Sequence, residues 1–229
     1  MTTDVTAQDR PGPPSDRVRV RRRAERGAYD AALVHEILDE ALLCRVAFVD
    51  GGQPFVLPTL HTRVDDLVYI HGSHANRMLK RVAEGEPVCL EATVVDSLVM
   101  GRSVFQNSMN YRSVVVLGTG HEVVDPEQKL AAMLALVDRL MPDRVPELRP
   151  LTDAELRSTR VVALPLTEAS AKVRTGPPGD KEADYALPVW AGELPLRIVP
   201  GQPADDPNLT AGIQPPEHVL SWGSRRRGV

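Results

Sequence analysis

Residues 44–71 read CRVAFVDGGQPFVLPTLHTRVDDLVYIH and contain three apolar, strand-like segments separated by two turns. The segments are Cys44–Val49, Pro54–His61 and Leu67–His71. Gly51-Gly52 favours a tight hairpin turn between the first two segments, and Asp65-Asp66 separates the second from the third. Connections this short leave no room for crossover helices, so the pattern predicts an antiparallel meander.

Further strands are predicted downstream of this meander. Val88–Val95 and Leu98–Val104 flank a turn at Asp96-Ser97, and the Val114–Leu117 run within Arg112–Val124 is typical of a strand buried on both faces. Arg160–Leu166 and Ala169–Arg174 are interpreted as one last strand interrupted near Pro165.

Helices are predicted where apolar residues recur at helical spacing. The predicted helices lie after Asp30, over residues 75–84 with Gly85 at the end, after Asp125-Pro126, and at Thr152 with Glu155 as a capping box. Strands and helices do not alternate as βαβ units. The fold class predicted is therefore mainly β, a compact β-barrel with peripheral helices.

The composition excludes several classes of protein. The chain has 229 residues and a net charge of −4, and no apolar run approaches the ~20 residues of a membrane span. No signal peptide is recognised either. Its two cysteines, Cys44 and Cys89, have apolar neighbours and are expected to be buried free thiols, which favours the cytoplasm and excludes a disulfide framework or a cysteine zinc site.

The two ends of the chain differ from the middle. Residues 1–16 are polar and proline-containing and are predicted to be disordered, followed by a folded domain over 17–200 and an extended tail over 201–229. Six arginines occur within residues 17–26, which suits either a phosphate or nucleic-acid contact or a solvated arm on an acidic surface. The acidic net charge favours the solvated arm, so a nucleic-acid partner is not expected.

The segment from His71 to Lys80 is the first candidate site. A strand ends at His71, Gly72 permits a turn, and a helix follows. Free amide groups at a helix start suit an anion, and polar side chains follow at Ser73, Asn76, Arg77 and Lys80. These groups can bind a phosphate, or they can be an ordinary helix cap beside solvated cations.

Four other features carry polar or aromatic groups suited to a ligand. Arg112 and Ser113 begin the buried valine strand, where an arginine needs an anionic partner, either a ligand or a structural carboxylate. Pro58 marks a sheet edge or a place where a ligand replaces a strand. Lys172 and Arg174 share one strand face, and Trp190 can stack on a planar ring or cover the core.

Several catalytic templates are absent from the sequence. It has no Walker glycine loop, no Gly-x-Gly-x-x-Gly, no Gly-x-Ser-x-Gly and no His-Glu-x-x-His motif. His71 and His74 are three residues apart but straddle a strand end, so no metal site is predicted. No residue is assigned as a catalytic acid or base.

Six motifs occur in one order along the chain. They are Tyr29-Asp30 after the arginine arm, Leu57-Pro58-Thr59, His71-Gly72-Ser73 with Arg77, Asn110-Tyr111-Arg112-Ser113, Ser170–Pro178, and Val189-Trp190-Ala191-Gly192. In this combination, from about Arg17 to Pro200, the chain resembles the pyridoxamine 5′-phosphate oxidase-like flavoproteins, in the branch related to nitroimidazole-resistance proteins. The resemblance implies a split β-barrel that dimerises and binds flavin, FMN or FAD, in clefts at the homodimer interface.

The resemblance also implies roles for individual residues. Backbone atoms of Leu57, Pro58, Thr59 and Leu60 would line the flavin ring. The ribityl phosphate would be surrounded by residues of the strand-to-helix turn, namely His71, Gly72, Ser73, Asn76, Arg77, and Met78 or Lys80. Arg112 and Ser113 would come from a neighbouring strand, across the dimer, and Lys172, Arg174 and Trp190 would close the cleft.

The chain departs from the branch at one motif. A His-His pair often precedes the Ser-Met-Asn-Tyr-Arg-Ser motif there, whereas this chain has Gln106-Asn107. If those histidines serve the reaction, this chain has altered or lost it. The functions kept open are a flavin oxidoreductase acting on a small organic molecule, a flavin carrier or sensor without turnover, and a haem protein ligated through His61, His71 or His121.

Overall fold

A computed structural model describes residues 11–222 of the chain. The eleven strands are β1 (Gly27–Ala28), β2 (Cys44–Asp50), β3 (Gln53–Thr59), β4 (Thr62–Val64), β5 (Leu67–Ser73), β6 (Pro87–Met100), β7 (Ser108–Thr119), β8 (His121–Glu122), β9 (Thr159–Pro165), β10 (Ala169–Arg174) and β11 (Gly192–Pro195). The five α-helices are α1 (Ala31–Glu40), α2 (Arg77–Ala83), α3 (Pro126–Leu140), α4 (Asp153–Ser158) and α5 (Glu217–Leu220).

These strands form two antiparallel sheets. The large sheet has the order β1-β10-β7-β6-β2-β3, with β11 paired to the far end of β6, and the small sheet has the order β4-β5-β9-β8. Their inner faces enclose one apolar core, which α1 and α2 complete with Leu38 and Leu79. The helix α3 covers the outer face of the small sheet through a second cluster around Tyr69 and Ala132. The predicted mainly β barrel with peripheral helices is confirmed.

Local signals in the sequence set most element ends. Asp30 and Asp125 accept backbone hydrogen bonds at the starts of α1 and α3, and Thr152 and Glu155 form the predicted capping box of α4. Gly51 and Gly52 have φ angles of 58° and 79°, so the β2–β3 turn needs residues that tolerate the left-handed region.

The predicted meander is wrong in one respect. β2 and β3 pair as a hairpin, but β5 pairs with β4 and β9 in the small sheet and not with β3. The chain leaves the large sheet at Leu60, where His61 and Thr62 become buried, and then forms the three-residue strand β4. A strand of three residues has too little pattern to be recognised in the sequence.

Three other predicted boundaries are also wrong. β6 runs unbroken from Pro87 to Met100, because the residues at the expected turn form a β-bulge between Val95 and Ser97. β9 and β10 are not one interrupted strand, since they belong to different sheets. The helix predicted over 75–84 begins later, at Arg77, because Asn76 caps it.

The inner face of β7 is fully buried, whereas its outer face is not. Val114 and Val116 have no exposed surface, and Val115 and Leu117 on the other face are half-buried. The arginine arm lies over this outer face, and Lys172 Nζ donates to the carbonyl of Arg22 at 3.2 Å. The surface on which the arm docks is therefore not the acidic one that the charge balance favoured.

The β6–β7 hairpin is longer than the rest of the large sheet. β2 pairs with β6 only at residues 89–91, and β11 pairs with residues 97–100. At ~3.3 Å per residue, the end of β6 lies about 30 Å beyond its contact with β2. The hairpin therefore projects past the barrel.

The described residues near the two ends of the chain contact the rest of the fold, and the predicted tail boundaries stay predictions. Residues 1–10 and 223–229 lie outside the described residues, so the disorder predicted for 1–16 stays a prediction. Ser15 donates to Glu168 at 2.5 Å, and Trp222 Nε1 donates to the carbonyl of Leu140 at 2.7 Å. His218 is buried, and its Nδ1 lies 3.6 Å from Glu147 Oε1. No helix of residues 11–222 combines the length and apolar character needed to cross a membrane.

Candidate cofactor site

The strand β3 is an edge of the large sheet, and it carries three of the predicted site residues, with Leu60 directly after it. It pairs only with β2, with Leu57 opposite Val46 and Pro58 opposite Arg45. The backbone groups on its other side therefore have no strand partner among residues 11–222, as the proline predicted. Leu60 is 36% exposed and Thr59 half-buried, so the edge is open to a planar ligand.

The predicted phosphate turn lies next to this edge. Ser73 Oγ accepts from the Ala75 amide at 3.2 Å, and Asn76 Oδ1 accepts from the Leu79 amide at 3.2 Å. A side chain at Gly72 would sit 3.0 Å from Leu79 Cδ1, so a larger residue there would require the Leu79 side chain to shift slightly. Asn76 is therefore a helix cap in this structure.

Arg77 joins the turn to the β2–β3 hairpin. Its guanidinium lies 3.9 Å from the centre of the Phe55 ring, which stacks on Phe48 with centroids 5.6 Å apart. Its Nε is 3.7 Å from Asp50 Oδ2, and the side chain stays half-exposed. The guanidinium is thus held in place at the open edge while its donors remain accessible.

The two other predicted residues of α2 differ in accessibility. Lys80 is 63% exposed and has only a long contact, 3.9 Å, with Glu84. Met78 is 1% exposed and packs in the barrel core, so its side chain faces away from the surface. Arg77 brings a half-exposed positive charge to the open edge, and Lys80 on the same helix is exposed to solvent.

His71 is a histidine with an unusual environment. Its Nδ1 is buried and has no hydrogen-bond partner among residues 11–222. Burial lowers the pKa of the imidazole, which keeps the ring neutral near pH 7. A neutral imidazole with an unengaged nitrogen is what a metal or haem iron requires of a ligand.

The other two histidines named for a haem are less suited. His61 is completely buried, and its Nε2 lies 2.8 Å from the carbonyl of Leu38. His121 is exposed at the end of the short strand β8. Within the described part of the chain, no three His, Cys, Asp or Glu side chains cluster to hold a metal ion.

Arg112 is surrounded by carboxylates. It binds Glu40 at 2.5 Å, Asp96 at 2.7 Å and Glu36 at 3.0 Å. The hydrogen bonds that Arg112 donates to Glu40 and then to Asp96 hold the pKa of Arg112 above its ordinary value. Of the two partners that the sequence left open, this structure shows the structural carboxylate, and Ser113 beside it donates to the Lys172 carbonyl at 3.3 Å.

Arg174 is also fully engaged. It is 9% exposed and donates to Asn110 Oδ1 and to the Gly176 carbonyl, the latter at 3.2 Å. Asn110 in turn donates to Glu193 at 2.5 Å and to Ser97 at 2.9 Å. This buried network joins four strands to the Gly176 turn, a scaffold role that the sequence did not indicate.

Lys172 and Arg174 do not face the β3 edge within one chain. Four strand spacings of ~4.8 Å separate β10 from β3 along the large sheet. Within one chain these residues therefore lie on separate strands of the large sheet, and the homodimer cleft that the resemblance implies stays a prediction.

Trp190 lies at the projecting hairpin. It is 67% exposed, and its ring packs over Gly192 in β11, beside the end of β6. The hairpin tip carries two side chains that the sequence reasoning missed, Val104 and Phe105, which are 96% and 88% exposed. Phe105 is one of only nine aromatic residues in the sequence, and this scarcity is the signal that could have identified it as a candidate site residue.

Gln106 and Asn107, the departure from the branch, shape this tip. Asn107 Oδ1 accepts from the Gly101 amide at 3.3 Å, and Asn107 Nδ2 donates to the Ser103 carbonyl at 2.8 Å. A side chain at Gly101 would collide with Gln106. Both residues therefore hold the loop that presents Phe105.

Comparisons with known proteins give consistent matches. The family described as pyridoxamine 5′-phosphate oxidase matches residues 30–173. The flavocytochrome Anf3 from Azotobacter vinelandii is 40% identical, covering 92% of this chain and 98% of its own, with a TM-score of 0.86. The FAD and heme binding protein from Mycobacterium smegmatis is 34% identical, covering 86% and 96%, with a TM-score of 0.81. No curated protein matches in sequence.

Proposed function

The chain belongs to the pyridoxamine 5′-phosphate oxidase family, and on that premise we propose that it binds both FAD and haem and acts as an oxidoreductase on a small organic molecule. The observation that carries the proposal is the likeness over nearly the whole chain to a flavocytochrome and to an FAD and heme binding protein. The sequence left haem open as an alternative to flavin, and we now propose that the chain binds both.

The β3 edge and the adjoining turn fit a flavin. The free backbone edge of residues 57–60 offers donors and acceptors to a planar heterocycle, and the exposed donors of Arg77 and Lys80 meet the negative charge of a phosphate. Ser73 adds a hydroxyl at the same turn. When bound, a flavin supplies hydride and single-electron transfer.

His71 fits haem better than the two other candidates. Its ring is neutral, its Nδ1 has no described partner, and it sits at the end of β5 beside the proposed flavin turn. The resemblance implied that His71 contacts the flavin phosphate. We now assign its ring to haem instead. His61 would first have to break its contact with the Leu38 carbonyl.

A homodimer completes the proposed site. The projecting hairpin of one copy carries Trp190 and Phe105 as exposed aromatic groups, and the β3 edge of another copy is unpaired. Burial of these side chains against a second copy would remove apolar surface from water. The free thiols Cys44 and Cys89 suit the cytoplasm, where we place the protein.

Titration with FMN, FAD and haem tests these assignments. Arg77→Met should weaken flavin binding at least about tenfold, since a charge-assisted phosphate contact is lost. Arg45→Met is the matched control, because Arg45 on the neighbouring strand has the same 51% exposure. His71→Ala should abolish the Soret band while flavin binding persists. A wild-type protein that binds neither cofactor overturns the proposal.

A flavin carrier or sensor without turnover is the second candidate. The Gln106-Asn107 pair favours this candidate. These residues stabilise a loop in this chain at the positions where proteins of the branch often have histidines. This alternative requires tightly bound flavin that neither NADH nor NADPH reduces. Reduction by either nucleotide, followed by reoxidation with an electron acceptor, supports the oxidoreductase.

A further inference from the structure

The arginine arm is fixed to the barrel by specific contacts. The Val20 amide donates to the Tyr29 hydroxyl at 2.8 Å, and a side chain at Gly27 would sit 2.9 Å from Val20 Cβ. Val18 is buried, and Lys172 donates to the Arg22 carbonyl. A merely solvated arm would need none of these contacts.

A cavity of about 290 Å³ lies between the arm and the outer face of the large sheet. Its walls are residues 17–22 on one side and Ser113, Val115, Leu117, Ser170 and Lys172 on the other. At ~30 Å³ per water molecule, this space is large enough for a diphosphate group.

The charge of this cavity is strongly positive. Five of its lining residues are cations and none is an acid. Arg19 and Arg21 share the single carboxylate of Asp16, which offsets only one of their two charges. Within residues 11–222, Arg17, Arg22 and Lys172 form no ion pair, although the whole chain is acidic. Three uncompensated cations around one space favour an anion there.

The sheet side of the cavity also carries a hydroxyl group that has no hydrogen-bond partner among the described residues. Ser170 is 8% exposed, and its hydroxyl has no hydrogen-bond partner among the described residues. It lines the cavity on the same sheet face as Lys172. The hydroxyl oxygen is not fully enclosed, so it is accessible from the cavity and can donate a hydrogen bond to a ligand or to water.

We infer that this cavity is a binding site for the phosphate or diphosphate group of a small molecule. Arg17, Arg22 and Lys172 supply the charge, and Ser170 donates a hydrogen bond to a phosphate oxygen. The anion has two possible sources, a free phosphate-bearing metabolite or the diphosphate of an FAD held mainly by a second copy. Only the second source rests on the proposed function.

Calorimetric titration of the full chain with pyrophosphate and ADP, at constant ionic strength, tests the site. Arg17→Gln combined with Arg22→Gln should lower the affinity at least about tenfold, because two charged donors are lost. Arg23→Gln combined with Arg26→Gln removes the same charge from the same arm outside the cavity and should change affinity less than about twofold. Ser170→Ala, which keeps every charge, should lower it several-fold.

Equal loss in the two double variants overturns the inference, since it indicates a diffuse charge effect. Retention of single-stranded DNA by a protein that binds no pyrophosphate also overturns it. Saturation with FAD, but not FMN, should block pyrophosphate if the flavin is the source, and neither should block it if a free metabolite is. Pyrophosphate binding to a protein that binds no flavin keeps the site while refuting the proposed function.

Discussion

Two groups of cations in this protein have the same chemistry and opposite surroundings. Arg112 and Arg174 have their donors occupied by carboxylates, an amide and carbonyls, and both are mostly buried. Arg77 and Lys80 are more than half exposed and have only long contacts with carboxylates. The first pair stabilises the barrel, whereas the second pair is left with donors for a ligand.

Among these four cations, the largest expected effect on stability comes from Arg174, which is the most buried. Arg174→Met should reduce the free energy of unfolding by about 3 kcal/mol, because Asn110 and the Gly176 carbonyl lose a charged donor inside the protein. Urea unfolding measures the change. Lys181→Met, at an exposed cation in the segment after β10, should change the free energy of unfolding by less than about 0.5 kcal/mol. Similar losses of unfolding free energy in both variants would contradict the distinction between buried, engaged cations and exposed ones.

Arg112→Met should cost less, about 1–2 kcal/mol, because its three carboxylates are partly exposed. The variant leaves Glu36 and Glu40 one helical turn apart beside Asp96, so like charges repel. Added salt should therefore raise the melting temperature of the variant more than that of the wild type. A salt response equal to that of the wild type would show that Arg112 does not neutralise this cluster.

His71 gives a smaller, pH-dependent effect. Burial lowers its pKa in the folded state below the ordinary value of 6.5, so the unfolded chain takes up the proton more readily. Stability is therefore highest above that value and falls as the pH drops through the lowered pKa. His71→Gln should flatten this fall in melting temperature, and His121→Gln, at an exposed site, is the control. An unchanged pH profile would contradict the burial of the ring.

The smallest expected change in stability is at Lys80. Lys80→Gln removes one exposed contact with Glu84 and should alter unfolding by less than about 0.5 kcal/mol. Flavin affinity should nevertheless fall several-fold, because the lost charge faces the phosphate. Glu84→Gln breaks the same contact from the other side and should not weaken flavin. Equal flavin affinity in Lys80→Gln and the wild type would place the phosphate elsewhere.

How much the sequence could predict depends on the distance over which a residue finds its partners. The caps of α1, α3 and α4 and the Gly51-Gly52 turn depend on neighbours within a few residues, and all were predicted correctly. The division into two sheets depends on β4, which is too short to carry a pattern. Sequence reasoning therefore found the barrel but not its strand order.

The same limit applies to the candidate site. Arg112 meets Glu40 across 72 residues, and Arg174 meets Asn110 across 64, so no local motif shows that either arginine is occupied. The turn around Arg77 was recognisable because its residues are contiguous. The resemblance supplied the remaining residues, and their ligand roles stay predictions.

Absorption spectroscopy of the purified full chain, followed by mass identification of the released chromophores, tests the central proposal most directly. The account predicts both flavin bands and a Soret band after gel filtration, with FAD and haem released in comparable amounts. A protein that stays colourless after incubation with FAD, FMN and haem would contradict it.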